Sequence, residues 1–274
     1  MIVKYLIALL LIVGANSSLA FKTTVVSIPS ASMNKSYPAT VVMPDSYSLS
    51  NKRYPVVYLL HGYGGNYLGW AKNSEVEALA DQHQLIIVMP DGNVGSWYID
   101  SPVKTNSRFE TYIYKDVIGY IDKHYRSINQ KNARAISGFS MGGFGALNIA
   151  LNHSILFGAA GSISGGVDPR PFHQHWQLSD VFGSPSENKI YWNSRAIINN
   201  SHRFFSSALD ITLDCGVDDF FIDTHRALHQ KLLKLNIAHD YSERPGGHNW
   251  NYWRRAIKYQ MLFFTDGFDH KLKR

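Results

Sequence analysis

Apolar, β-branched runs alternate with amphipathic stretches along this chain. Tyr54-Pro55-Val56-Val57-Tyr58-Leu59-Leu60 and Leu85-Ile86-Ile87-Val88-Met89 are unbroken runs, closed by His61-Gly62 and by Pro90-Asp91-Gly92. Such runs predict strands buried on both faces. Residues 23–27 and 40–43 predict two earlier strands, paired antiparallel, and 158–164, 211–215 and 239–242 predict later ones. Between them, Ser74-x-x-Glu77 reads as a capping box opening a helix to about residue 84. Ser107-x-x-Glu110 reads as a second one, and Ile113, Val117, Ile121 and Tyr125 then recur every four residues, which predicts one buried helix face. Helices are also predicted over 224–235 and 250–264. Strands alternating with helices imply an α/β fold whose mostly parallel sheet is covered on both sides. Residues 165–202 show little periodicity and are expected to cross the C-terminal edge of that sheet, where such folds bind ligands.

Composition changes this picture at the N-terminus only. The 274 residues are 45% hydrophobic and 18% charged, which suits one α/β domain over residues 21–274. Residues 1–20 stand apart. Lys4, the apolar run 5–13 and the small-residue ending Ser18-Leu19-Ala20 predict a cleaved signal peptide, hence a secreted or periplasmic protein without a stable membrane anchor. Without Lys4 the formal charge falls from +6 to +5. The basic residues are scattered apart from the 270–274 tail, and no basic-aromatic stripe predicts a nucleic-acid partner. Cys215 is the single cysteine, so no internal disulfide exists, and its place at the end of an apolar run predicts a buried thiol. No pattern assigns an oligomeric state.

The candidate chemistry centres on Gly138-Phe139-Ser140-Met141-Gly142-Gly143. This is Gly-x-Ser-x-Gly between a predicted strand and a predicted helix, the context of a nucleophile elbow. The sharp turn leaves no room for a Cβ at the flanking glycines. It exposes the serine at a helix N-terminus, where free N–H groups favour developing negative charge. A serine nucleophile needs a base, and the base needs an orienting acid. His248, in Gly246-Gly247-His248-Asn249-Trp250, is the base candidate; Asp218 and Asp219 both qualify as acid, with Asp214 third because it falls on the strand. Two backbone donors should hold the oxyanion. One is Met141, after the nucleophile. The other is Tyr63, in the glycine-rich loop His61-Gly62-Tyr63-Gly64-Gly65, where His61 reads mainly as a residue bracing the loop. Trp97 and Tyr98 follow the fourth strand and serve either as stacking surfaces for an aryl or sugar ring or as packed loop residues. His173 and His175 have no nearby partner to complete a metal set, so neither a metal nor a cofactor is expected.

Taken together, residues 58–70, the 138–145 elbow, Gly216-x-x-Asp219 and 246–250 resemble the esterase D-like branch of the α/β-hydrolases. That branch contains feruloyl, acetyl and tributyrin-type esterases, S-formylglutathione hydrolases and mycolyltransferases. The resemblance spans about residues 23–268. It implies an α/β-hydrolase fold with Ser140 as nucleophile, Asp219 as acid, His248 as base, Tyr63 and Met141 as oxyanion donors, and Gly62 beside the substrate. Residues 96–101 and 109–112 look most like exported, feruloyl-esterase-like members. Formylglutathione hydrolases tend to carry His-Gly-Leu-Thr-Cys where this chain has His61-Gly62-Tyr63-Gly64-Gly65, which argues against glutathione thioesters. The implied activity is a serine carboxylesterase acting on feruloyl or acetyl groups of a plant polysaccharide or oligosaccharide. An acyltransferase or a short-chain aliphatic esterase would use the same residues, and a non-enzymatic binding module would be expected to lack one of the three.

Overall fold

The computed structural model describes residues 22–273, so the expected signal segment lies outside the described residues. Eight strands form one sheet: β1 (Lys22–Ser30), β2 (Lys35–Met43), β3 (Val56–Leu60), β4 (Ile86–Pro90), β5 (Arg134–Gly138), β6 (Ala159–Ile163), β7 (Asp210–Gly216) and β8 (Asp240–Arg244). Their order is β1-β2-β4-β3-β5-β6-β7-β8. β1 pairs antiparallel with β2, and β2 with β4; every later pairing is parallel. The architecture is the α/β class that the alternating pattern predicts.

The apolar strands are divided between two cores because successive side chains point to opposite faces. Val56, Tyr58 and Leu60 belong to the core on one face, with Phe144 and Leu147 of the helix Met141–Asn152 and Leu228 of the helix Ile222–Lys234. Val57 and Leu59 belong to the core on the other face, with Leu79 of the helix Val76–Gln82 and Trp253, Ile257 and Met261 of the helix Trp250–Leu272. Leu59 is fully buried, and truncating such a residue to alanine typically costs about 2–5 kcal/mol. The sheet is therefore a stiff platform for the loops at its C-terminal edge. Among the described residues no helix is long and apolar enough to cross a membrane.

Neither capping box forms. The Ser74 hydroxyl donates back to the Trp70 carbonyl at 2.7 Å, ending the preceding turn, and the helix beginning at Val76 has no side-chain cap. Glu110 is drawn inward instead, to Arg195 at 2.8 Å and Asn152 at 3.0 Å, because a buried charged partner outcompetes a local backbone N–H. The face carrying Ile113, Val117 and Ile121 is buried as expected, but residues Tyr112–Val117 form a π-helical turn, a rare form that is frequent at functional sites.

Candidate active site

The elbow is a steric construction. Ser140 lies between the end of β5 and the helix Met141–Asn152 with φ +56° and ψ −122°, a backbone state that costs a non-glycine residue of order 1–3 kcal/mol. The turn is held by Ser140 N–H to the Ile163 carbonyl at 3.0 Å and Gly142 N–H to the Phe139 carbonyl at 2.8 Å. A Cβ at Gly142 would stand 2.4 Å from the Leu60 carbonyl oxygen, and one at Gly138 would stand 2.6 Å from it. The two glycines of the motif are thus required by the closeness of β3 rather than by the serine itself.

Strand ends bring the remaining groups to the same edge. Asp219 follows β7 by three residues and His248 follows β8 by four. These two loops are tied together by Asp218 N–H to the Gly246 carbonyl at 3.0 Å and Val217 N–H to the Arg244 carbonyl at 3.0 Å. A Cβ at Gly216 would come within 2.1 Å of that same Gly246 oxygen, so the loops touch through bare backbone. The result is a continuous chain of hydrogen bonds. His248 Nε2 lies 2.9 Å from Ser140 Oγ, and His248 Nδ1 lies 2.8 Å from Asp219 Oδ2. The Asp219 side chain is 0% exposed and its Oδ1 accepts the Phe221 N–H at 2.9 Å. Burial pushes the Asp219 carboxyl up, but the His248 hydrogen bond, the His248 charge and the Phe221 N–H outweigh it, and the group lies below its ordinary value. An anionic carboxylate on Nδ1 selects the tautomer that leaves Nε2 free to accept from the serine hydroxyl. Behind Asp219, His225 is fully buried with Nε2 2.9 Å from the Gly165 carbonyl; burial drives it down to about 4, so it stands neutral at pH 7.

Of the alternative acids, Asp218 is exposed and Asp214 faces elsewhere, bonded to Arg244 and to the Tyr252 hydroxyl. Loop 61–65 packs against the elbow: a Cβ at Gly62 would lie 3.2 Å from Ser140 Cβ. Among the described residues no acceptor takes the N–H of Tyr63 or of Met141. His61 braces this loop, as expected. Its Nε2 accepts the Gly92 N–H at 2.8 Å, and its Nδ1–H donates to the Gly62 carbonyl at 2.8 Å. Burial holds its pKa below the ordinary histidine value.

The stacking role considered for Trp97 and Tyr98 is corrected. They are 1% and 0% exposed, so neither ring offers a face to a ligand. Both residues have φ +52°, which turns their side chains inward. The Tyr98 hydroxyl donates to the His61 carbonyl at 3.1 Å and accepts the His61 N–H at 3.0 Å, and Trp97 packs edge-on against Phe144. The open aromatic surface is a pair that sequence reasoning missed. Phe220 is half exposed and lies 4.2 Å from the His248 ring, and Trp176 stacks on Phe220 at 5.3 Å and 20°. The sequence signal was present in His173-Gln174-His175-Trp176 and Asp219-Phe220-Phe221, but nothing local joins segments 44 residues apart. Among the described residues no His, Cys, Asp and Glu group could hold a metal.

The model of the Esterase family, described as "Putative esterase", matches residues 30–264. The chain is similar to an esterase of Mycobacterium tuberculosis, 29% identical over 249 residues that cover 76% of this chain and 51% of the relative. It therefore spans about half the length of that relative. It is also similar to an acetyl esterase of Caldicellulosiruptor saccharolyticus, 26% identical over 215 residues, 73% of this chain and 79% of the relative. Among solved structures, a ferulic acid esterase superposes with a TM-score of 0.76 at 29% identity, covering 90% of this chain and 98% of that one. The sheet order and this superposition make the fold that of the α/β-hydrolases.

Proposed function

The chain belongs to the esterase family, and from that premise we propose that it is an exported serine carboxylic ester hydrolase acting on feruloyl or acetyl esters of a plant polysaccharide or oligosaccharide. The observation that carries this reading is the hydrogen-bonded series Ser140–His248–Asp219, with links of 2.9 Å and 2.8 Å.

Ser140 Oγ attacks the ester carbonyl carbon as His248 Nε2 takes the hydroxyl proton. Asp219 keeps Nδ1–H oriented and stabilises the imidazolium that forms. The N–H groups of Tyr63 and Met141 receive the oxyanion, and one such donor is typically worth about 10²–10³ in turnover. His248 returns its proton to the departing alcohol oxygen. Water, deprotonated by the same imidazole, then releases the acid from Ser140. The acyl preference is supported by the acetyl and ferulic acid esterase relatives and by the Phe220–Trp176 surface beside His248. The export reading rests on residues 1–20.

Ser140→Ala, assayed with p-nitrophenyl acetate and methyl ferulate, is expected to lose about 10⁶-fold in kcat, and retained turnover overturns the mechanism. Phe220→Ala separates the acyl groups. Losing a stacking partner of about 0.5–1.5 kcal/mol should raise KM for methyl ferulate roughly two- to tenfold and leave p-nitrophenyl acetate unchanged. An equal effect on both esters removes the aryl preference.

A further inference from the structure

Two of the surface cavities share one residue. The first, about 300 Å³, is lined by Lys35, Lys104, Asn106, Ser107 and Gln177. It lies beside the loop 61–65, whose Gly64 N–H donates at 2.9 Å to the carbonyl of Val94, a lining residue. A Cβ at Gly95, which also lines it, would lie 2.9 Å from Gln177 Oε1 and 3.0 Å from the Tyr63 ring. Tyr63 belongs to the oxyanion loop, and Gln177 follows Trp176. The second cavity is a groove of about 740 Å³ between the β1–β2 turn and the helical segment 112–124, lined by Lys35, Lys115, Lys123, His124 and Tyr120. Lys35 lines both, so the two adjoin and make a path from beside the oxyanion loop across the β1–β2 turn.

The path is cationic; Lys35 Nζ stands 5.2 Å from the centre of the Tyr37 ring, and the charge is otherwise little spent on neighbours. Among the described residues Lys35, Lys115 and Lys123 form no ion pair, and Lys104 meets Asp180 only at 3.9 Å with both side chains about half exposed. The one carboxylate lining the groove is Asp116, whose Oδ2 is buried without a partner. Lys115 and Asp116 both lie on the π-helical turn Tyr112–Val117. Between the lysines stand hydroxyl and amide side chains, Ser36, Asn34, Asn106 and Ser107, which match a ligand rich in hydroxyls. The Tyr120 ring, stacked with His124 at 4.2 Å, supplies an aromatic surface at the far end.

We propose that this path binds the acidic, uronate-bearing chain of the ester substrate, holding carboxylates at Lys35, Lys115 and Lys123 while the acyl group reaches Ser140. The proposal rests on the esterase reading for its substrate and on charge and the two adjoining cavities for its ligand class. An anionic lipid surface or a nucleic acid would share the charge complementarity without needing the hydroxyl-matching lining or a place beside the oxyanion loop.

The test is calorimetric titration of the Ser140→Ala protein with a galacturonate hexamer and with a neutral xylose hexamer, at 50 and 500 mM NaCl. The galacturonate is expected to bind about tenfold tighter, and the difference should shrink at high salt. The triple variant Lys35→Gln, Lys115→Gln and Lys123→Gln, made in the same background, should lose about tenfold in galacturonate affinity, from exposed pairs that contribute a few-fold each. Equal affinity for the two hexamers, an unchanged triple variant, or lysine-dependent binding of phosphatidylglycerol vesicles or single-stranded DNA in place of galacturonate overturns the proposal. Turnover of p-nitrophenyl acetate, measured with Ser140 intact and with and without the three substitutions, reports on the other reading. Activity absent from both proteins sinks the esterase assignment and leaves the binding result standing. Activity equal in both shows that the variant is folded and that the lysines act on binding alone.

Discussion

Asp219–His248 and Glu110–His153 are built from a carboxylate and an imidazole at similar separations, 2.8 Å and 3.1 Å. Both carboxyls lie below their ordinary values despite burial. They differ in what surrounds them. Asp219 takes one histidine and one backbone N–H, and the far nitrogen of that histidine meets a hydroxyl presented on a strained turn. Glu110 is saturated by Arg195 and Asn152 as well, and its histidine lies flat on Tyr114 at 3.7 Å. Its partners come from the helix Met141–Asn152, from His153 that ends it and from the helix Lys189–Arg195, so this couple fastens the 165–202 excursion to the helix behind the elbow. A carboxylate–imidazole pair is thus a chemical device only where its outer nitrogen is left for a nucleophile; closed by cations and amides it is a clasp.

Exchanging the two histidines for alanine is the sharpest way to break this contrast. His248→Ala should lower kcat by about 10⁶-fold while the denaturant midpoint stays put, and His153→Ala should leave kcat within a few-fold. Comparable losses of turnover in both would dissolve the distinction. Next in size, Glu110→Ala leaves Arg195 and Asn152 facing a void and should cost about 3–5 kcal/mol in urea unfolding, with little change in kcat of the folded fraction. The smallest effect is in pH. Glu110 titrates lower folded than unfolded, so its stabilisation is complete above the ordinary 4.5 and is lost as pH falls through the depressed value. Glu110→Gln should therefore flatten the acid side of the stability–pH curve below about 4.5, and a wild-type-like slope in that variant would assign the acid sensitivity elsewhere.

What could be read from the chain follows from which interactions are local. The elbow was legible because the clash that demands Gly138 and Gly142 acts within one short motif. The core strands were legible because burial on both faces writes an unbroken apolar run. Asp218 and Asp219 are adjacent in one loop, and only the fold decides which carboxylate turns inward. The capping boxes failed because Ser74 and Glu110 have partners from outside the motif. Trp97 and Tyr98 sit on the expected edge, yet their left-handed backbone turns the rings away from it, and no residue pattern announces that conformation in two aromatic residues. The Phe220–Trp176 pair and the lysines that share a groove across the β1–β2 turn are contacts between distant segments, which periodicity does not record.

Cys215 lies on β7, three positions upstream of the Asp218–Asp219 pair, with no exposed surface, and burial raises its thiol well above the ordinary range. In the native state a disulfide reagent finds nothing to attack. Each chain that reacts must first have let β7 part from its neighbours, one strand in from the β8 edge of the sheet. Because there is one sulfhydryl, the colour released by such a reagent counts those openings without a label or an engineered handle.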